Sequence, residues 1–248
     1  MKTLTVSNPI DFFNKVIELT RYFSDHQLWW RGHACEEWKL HPSIFHKGLE
    51  ANESNLSGLF IQHALARYKN APAYDEYASW MFLMQHYGLP TRILDWTKSP
   101  IVALYFAIHN ASNENDAAVW CLLPTKLNKC QIGSDKLVSR NNPEVKKSIY
   151  NAFSKTVENS NYNIAFIAQH IDMRQLIQAS EYTIHSLATP LEEMEESSEF
   201  VGKIILPRSQ IDGLKKLLLV LNINQAYLFP DLENLSEYLK SINFCIND

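Results

Sequence analysis

The chain alternates between stretches of helical apolar spacing and short continuous apolar runs. Phe13, Val16 and Ile17, following Asn8-Pro9, predict an amphipathic helix to about Phe23 with the proline in its first turn. Leu28 to His33 is short, aromatic and rich in β-formers, and predicts a strand. Pro42 interrupts Trp38 to Phe45, which reads as a loop with one helical turn after Pro42-Ser43. A helix from about Asn55 to Asn70 follows, with Leu56, Leu59, Phe60 and His63 on one face.

The middle of the chain is its most apolar part. Trp80, Leu83, Met84 and Tyr87 fall at helical spacing, and Met81 and Phe82 widen the stripe until the helix is apolar on most sides. Gly88 and Pro90 stop it, as a left-handed cap followed by a helix breaker does. Ser99-Pro100 opens a second helix with Ile101, Leu104, Tyr105 and Ile108 on its face. The spacing therefore predicts a buried helical hairpin, about 76–88 and 99–111, whose connection from Leu89 to Thr97 is held at one end of the core.

Further on, Ala118 to Leu123 is a continuous apolar run of strand length and Phe200 to Leu206 reads as a strand, each stopped by a proline. Asn163 to Ala168 and Glu181 to His185 are weaker strands. Ile211, Leu214, Leu217, Leu218 and Leu221 mark an amphipathic helix, and Leu235, Tyr238, Leu239 and Ile242 mark the last one. Residues 128–162, rich in Asn, Ser and Lys, read as an exposed insertion. The expectation is an α+β fold in which the hairpin packs on a mixed or antiparallel sheet, with residues 1–248 forming a single domain.

Composition narrows the function classes. The 248 residues are 46% apolar and 20% charged, which excludes wholesale disorder. No apolar run approaches the ~20 residues that span a bilayer, and the start lacks the basic-then-apolar order of a signal peptide, so no membrane partner and a cytoplasmic location are expected. The four cysteines show no CxxC spacing and the nine histidines no HxH or HxxxH pair, so no metal site is expected. A GxSxG elbow is absent. The net charge of −4 disfavours a duplex-coating protein and leaves nucleic acid only a local contact. Arginine is scarce, seven against sixteen lysines, so each arginine in a pattern asks for a reason.

Two segments stand out. In Trp30-Arg31-Gly32, an arginine inside an aromatic strand is either a buried strut holding a carboxylate such as Asp95 or an anion-gripping guanidinium, and the glycine admits a close neighbour. The run from Gln85 to Thr97 consists mostly of residues that hydrogen-bond through their side chains, yet it is framed by the two most apolar helices. Polar groups held against a core are satisfied by one another or by a ligand. An internal pairing of Arg92 with Asp95 is the alternative account.

These segments are similar to the FRG domain family, named for a Phe-Arg-Gly motif that here is Trp30-Arg31-Gly32. The likeness continues through Trp38-Lys39-Leu40-His41-Pro42-Ser43, the run Gln85 to Thr97, Ser99-Pro100, Ala103 to Ala107 and Leu228 to Glu233, and so spans roughly residues 28 to 240. Where the family tends to show Gln-x-Gly-x-Phe-Thr after an arginine, this chain has Arg174, then Gln178-Ala179-Ser180-Glu181-Tyr182-Thr183. Members resemble bacterial and phage-related proteins.

Two functional readings follow. In the arginine-class ADP-ribosyltransferases an early strand carries a similar aromatic-Arg-Gly whose arginine holds the phosphates of NAD, and a late glutamate stabilises the oxocarbenium-like transition state. By that analogy the chain is a toxin or defence effector with NAD as substrate. Arg31, His86, Thr91, Arg92, Asp95, Gln178 and Glu181 are then the catalytic set, and Trp30, Gly32, Tyr87, Trp96 and Arg174 hold the ligand. Alternatively the same pocket is a non-catalytic module that recognises a small anionic ligand, a nucleotide, a nucleic-acid end or a peptide through stacking rings and arginines.

Overall fold

In the computed structural model, the described residues are 1–24, 26–109, 111, 114–154, 158–168 and 172–241. Along the chain the elements are β1 (Lys2–Thr5), α1 (Asp11–Tyr22), β2 (Trp29–His33), α2 (Ser43–His46), α3 (Glu53–Ala64), α4 (Tyr77–His86), β3 (Ile93–Thr97) and α5 (Pro100–His109). They continue with β4 (Ala117–Leu122), α6 (Pro124–Ile132), β5 (Val138–Ser139), α7 (Pro143–Asn151), β6 (Asn163–Ile167), α8 (Met173–Ile177), β7 (Ser180–His185), β8 (Val201–Leu206), α9 (Arg208–Val220), α10 (Gln225–Leu228) and α11 (Leu232–Ser241). The fold is α+β, and its sheet is mixed.

Among the described residues the sheet has eight strands in the order β1-β8-β4-β2-β3-β7-β6-β5. The outermost pairs, β1 with β8 and β5 with β6, are parallel, and the inner pairs are antiparallel. The centre is its weakest seam, because β2 and β3 meet at a single register pair, Trp30 with Thr97. Opposed residues share a face and alternate residues return to it. Trp30, Gly32, Asp95 and Thr97 therefore lie on one face, together with Tyr182 opposite Asp95 and Ser180 opposite Thr97.

The two apolar helices both cover that face. A Cβ on Gly32 would sit 2.0 Å from the carbonyl oxygen of Ala103 and 2.4 Å from the amide nitrogen of Ala107, so α5 docks on β2 only because residue 32 has no side chain. Helix α4 lies over the other half of the sheet, with the Phe82 ring edge-on to Tyr182 at 4.9 Å. Gly88, at φ +77°, ends α4 as its position after the apolar run predicts. Ser99 Oγ accepts from the amide of Val102 at the start of α5.

The expected hairpin connection differs in one respect: residues 93–97 are a strand of the sheet. Ile93 joins the core under α4, and Leu94 and Trp96 join the larger core that includes α5. Each helix thus packs on its own half of the sheet. Residues 128–162, expected as an exposed insertion, include Val145, Ile149 and Ala152, which are buried in the core under α4. Asn128 is fully buried, its side chain bonding both the amide and the carbonyl of Ala165. The polar composition of this segment hides a few buried positions at helical spacing. The helix expected over 55–70 ends at Ala64, and Ile242 of the last helix lies outside the described residues. Among the described residues no helix is long and apolar enough to cross a membrane.

Candidate functional site

Where β2 and β3 part, the sheet leaves a pocket of about 320 Å³ roofed by α4, α5 and α8. Trp30, Phe82, Phe106 and Tyr182 supply its apolar walls, and Arg31, Asp95 and Arg174 its charges. A volume near the lower end of ligand pockets suits a mononucleotide-sized group.

Arg31, the middle residue of β2 and the one after the Trp30–Thr97 pair, reaches across the seam. Its Nη1 donates to the backbone carbonyl of Asp95 at 2.6 Å, and its Nε donates to His33 Nε2 at 3.0 Å. Burial pulls the guanidinium below its ordinary pKa, opposed by the nearby Asp95. The Asp95 carboxylate is held from the other side: Gln85 Nε2 donates to Oδ2 at 2.6 Å, and Thr91 donates its hydroxyl to Gln85 Oε1. Burial raises the Asp95 carboxyl above the usual carboxylate range, although Arg31, Gln85 and Arg174 all pull the other way. Arg174, on α8, lays its guanidinium 4.6 Å from the centre of the Phe229 ring. At the rim, His86 Nδ1 lies 3.0 Å from Asp172 Oδ2, while Asp172 Oδ1 caps α8 through the amide of Gln175.

Of the residues expected to form a site, Trp30, Arg31, Gly32, His86, Asp95, Trp96, Arg174 and Gln178 border the pocket. Three of these play a different part from the one expected. Gly32 admits a helix rather than a ligand. The Trp96 indole is buried and donates to Thr183 Oγ1 at 3.0 Å, so it has no face to stack on. The Gln178 amide donates to the carbonyl of Leu228 at 3.0 Å. Thr91 is buried one step behind the pocket, bonded to Gln85.

Three expected site residues are elsewhere. Arg92 pairs neither with Asp95 nor with a ligand: it is buried against Glu53, with Asn159 and Asn151 completing its bonds, because alternation along β3 turns it away from its neighbour's environment. Glu181, opposite Trp96 in the register, faces away from the pocket and pairs with Lys98. Tyr87 is 60% exposed and borders a separate apolar groove between α3 and α4, its ring edge-on to Tyr68. Sequence reasoning missed Asp172 and Tyr182. Asp172 carries a local signal, an N-cap ahead of Met173 and Arg174, but its pairing with His86 spans 86 positions and has none. Among the described residues no group of three or more His, Cys, Asp or Glu side chains converges as a metal site.

Residues 26–116 match the family model of the FRG domain. The chain carries an FRG domain. Comparison with curated proteins and with solved structures found no match. The matched span of the FRG domain contains β2, α4, β3 and α5, and so brings Arg31, Gln85, His86 and Asp95 to the pocket. The rest of the wall, Arg174, Gln175, Gln178, Ser180 and Tyr182, comes from beyond the FRG match, as does Asp172, which pairs with His86.

Proposed function

We propose that the pocket binds a phosphate-bearing nucleotide and cleaves the bond between its ribose and a cationic leaving group, as an NAD glycohydrolase or an ADP-ribosyltransferase does. The observation that carries this reading is that Arg31 and Arg174, neither with a carboxylate partner at ion-pair distance among the described residues, border the same pocket as Asp95. Guanidinium groups grip phosphate oxygens through paired N–H donors. A buried carboxylate beside them stabilises positive charge that develops on the ribose as the glycosidic bond breaks and its electrons leave with nicotinamide. Asp95 takes the role that the analogy gives to a late acidic residue, since Glu181 faces away. His86, oriented by Asp172, accepts the proton of the attacking water or acceptor hydroxyl. Phe82 and Tyr182, packed edge-on to each other, give the pocket an apolar wall beside which a base would lie.

The test is release of nicotinamide from NAD by the purified protein, followed by chromatography, with calorimetric binding of NAD and ADP alongside. Turnover is expected in the wild type. Asp95→Asn is expected to bind but not turn over, and Arg31→Ala to lose both. Binding without nicotinamide release or labelled acceptors in a lysate supplied with tagged NAD assigns the pocket to a non-catalytic nucleotide-binding module. Absence of both binding and turnover refutes the proposal.

A further inference from the structure

We infer that His33 is the positioning residue for Arg31, a neutral hydrogen-bond acceptor that fixes the guanidinium without cancelling its charge. The inference rests on Arg31 being the anion-binding group of the pocket. Arginine has only donors, so the 3.0 Å contact from Arg31 Nε requires a lone pair on His33 Nε2. The other ring nitrogen, Nδ1, lies 3.2 Å from the backbone carbonyl of Trp38, which only accepts. The proton of His33 is therefore on Nδ1, and the ring is locked in one tautomer by two partners that permit no other.

Burial and the neighbouring cations keep the ring neutral. His33 is 5% exposed, with Trp120 edge-on at 6.2 Å. Burial first, then the charge of Arg31, push its pKa down to about 3, with Lys203 and His41 adding to the effect and the Trp38 carbonyl opposing it. The loop that presents the Trp38 carbonyl is itself pinned: the amide of Glu36 bonds the carbonyl of Asp116, Lys203 Nζ donates to the carbonyl of Glu36, and the amide of Leu40 donates to the Glu192 carboxylate.

The chemical consequence lies in the choice of acceptor. A carboxylate at position 33 would hold Arg31 equally well but would pair with its charge and compete with any anion. A neutral imidazole leaves the charge intact. With Nε on His33 and Nη1 on the Asp95 carbonyl, the guanidinium plane is fixed on two edges, and Nη2 has no partner among the described residues. An arginine fixed in this way loses little freedom when it binds.

The test compares His33→Asn with His33→Gln, using ADP and pyrophosphate as probes in calorimetry and thermal melting as the control for folding. The glutamine side chain places an oxygen near the depth of Nε2, whereas the asparagine oxygen stops near Nδ1. Asn is expected to weaken ADP about tenfold or more, while Gln stays within about threefold of wild type. Equal affinities for the two variants overturn the positioning role. Arg31→Ala separates the two levels: unchanged ADP affinity in that variant refutes the pocket reading itself, whereas loss in Arg31→Ala with full affinity in His33→Asn refutes only the role of His33. The wild type gives a readout that no misfolded variant can obscure. Nitrogen-15 spectra of the His33 ring are expected to show the neutral Nδ1–H tautomer from pH 5 to 8, and an Nε2–H or doubly protonated ring in that range overturns the inference.

Discussion

Arg92→Met should unfold this protein more readily without touching its pocket. Arg92 and the carboxylate of Glu53 have side chains only 4% and 5% exposed. The guanidinium donates to both carboxylate oxygens, through Nε at 3.0 and 3.2 Å and through Nη2, while Nη1 reaches Asn159 Oδ1 at 3.0 Å. Removing it strands a buried carboxylate and takes a donor from the amide oxygens of Asn159 and Asn151. Breaking such a pair from one side costs ~3–5 kcal/mol, and burial this deep leaves little water to screen the loss. For a chain of this size, that lowers the melting temperature by roughly 6–20 °C. Urea denaturation followed by tryptophan fluorescence measures it, and the double variant Glu53→Met/Arg92→Met should be more stable than Arg92→Met alone, since no charge is then left buried. ADP affinity per folded molecule should be unchanged. A loss below ~1 kcal/mol, or lost binding at an unchanged melting temperature, refutes the strut assignment and returns Arg92 to the site.

Three further outcomes are expected. His33 and His185 are buried with pKa values pushed down to about 3, so the unfolded chain takes up protons first as pH drops below 6.5; stability is full above that value and falls toward pH 3 by up to about 1.4 kcal/mol per pH unit for each ring. Comparing urea midpoints of wild type and His33→Gln at pH 7 and pH 5 isolates one ring, because Asp95 and Glu192, whose raised pKa values give a slope of opposite sign, are common to both; parallel profiles contradict the assignment. Gly32→Ala forces β2 and α5 apart and should cost at least ~1–3 kcal/mol, so a variant as stable as wild type would show that the helix does not dock there. Ala179 holds φ +47° just before β7; Ala179→Gly relieves a left-handed conformation worth ~1–2 kcal/mol against ~0.5–1 kcal/mol of added chain entropy, and a net gain of about 0.5–1 kcal/mol in denaturation is expected, whereas a loss contradicts the backbone geometry.

Local chemistry made α4 and α5 legible: their apolar spacing, Gly88 and Ser99-Pro100 act within a turn of themselves, and both helices lie where the spacing puts them. The strand at Trp29–His33 and its arginine were readable for the same reason. β3 was not, because five residues with an aspartate inside carry too little periodicity to distinguish a strand from a polar connection, and only pairing with β7 settles it. Asp95 and Arg92 show the difference most directly. Both are charged residues in one short polar run, yet Asp95 borders the pocket and Arg92 is sealed against Glu53, 39 positions earlier. The sequence by itself determined which segments hold the unusual polar residues, since charge, hydrogen-bonding capacity and apolar spacing belong to the chain. Which of those residues share a pocket was decided only by tertiary structure, because strand register chooses the face and burial against a distant partner decides whether a charge is consumed or left for a ligand.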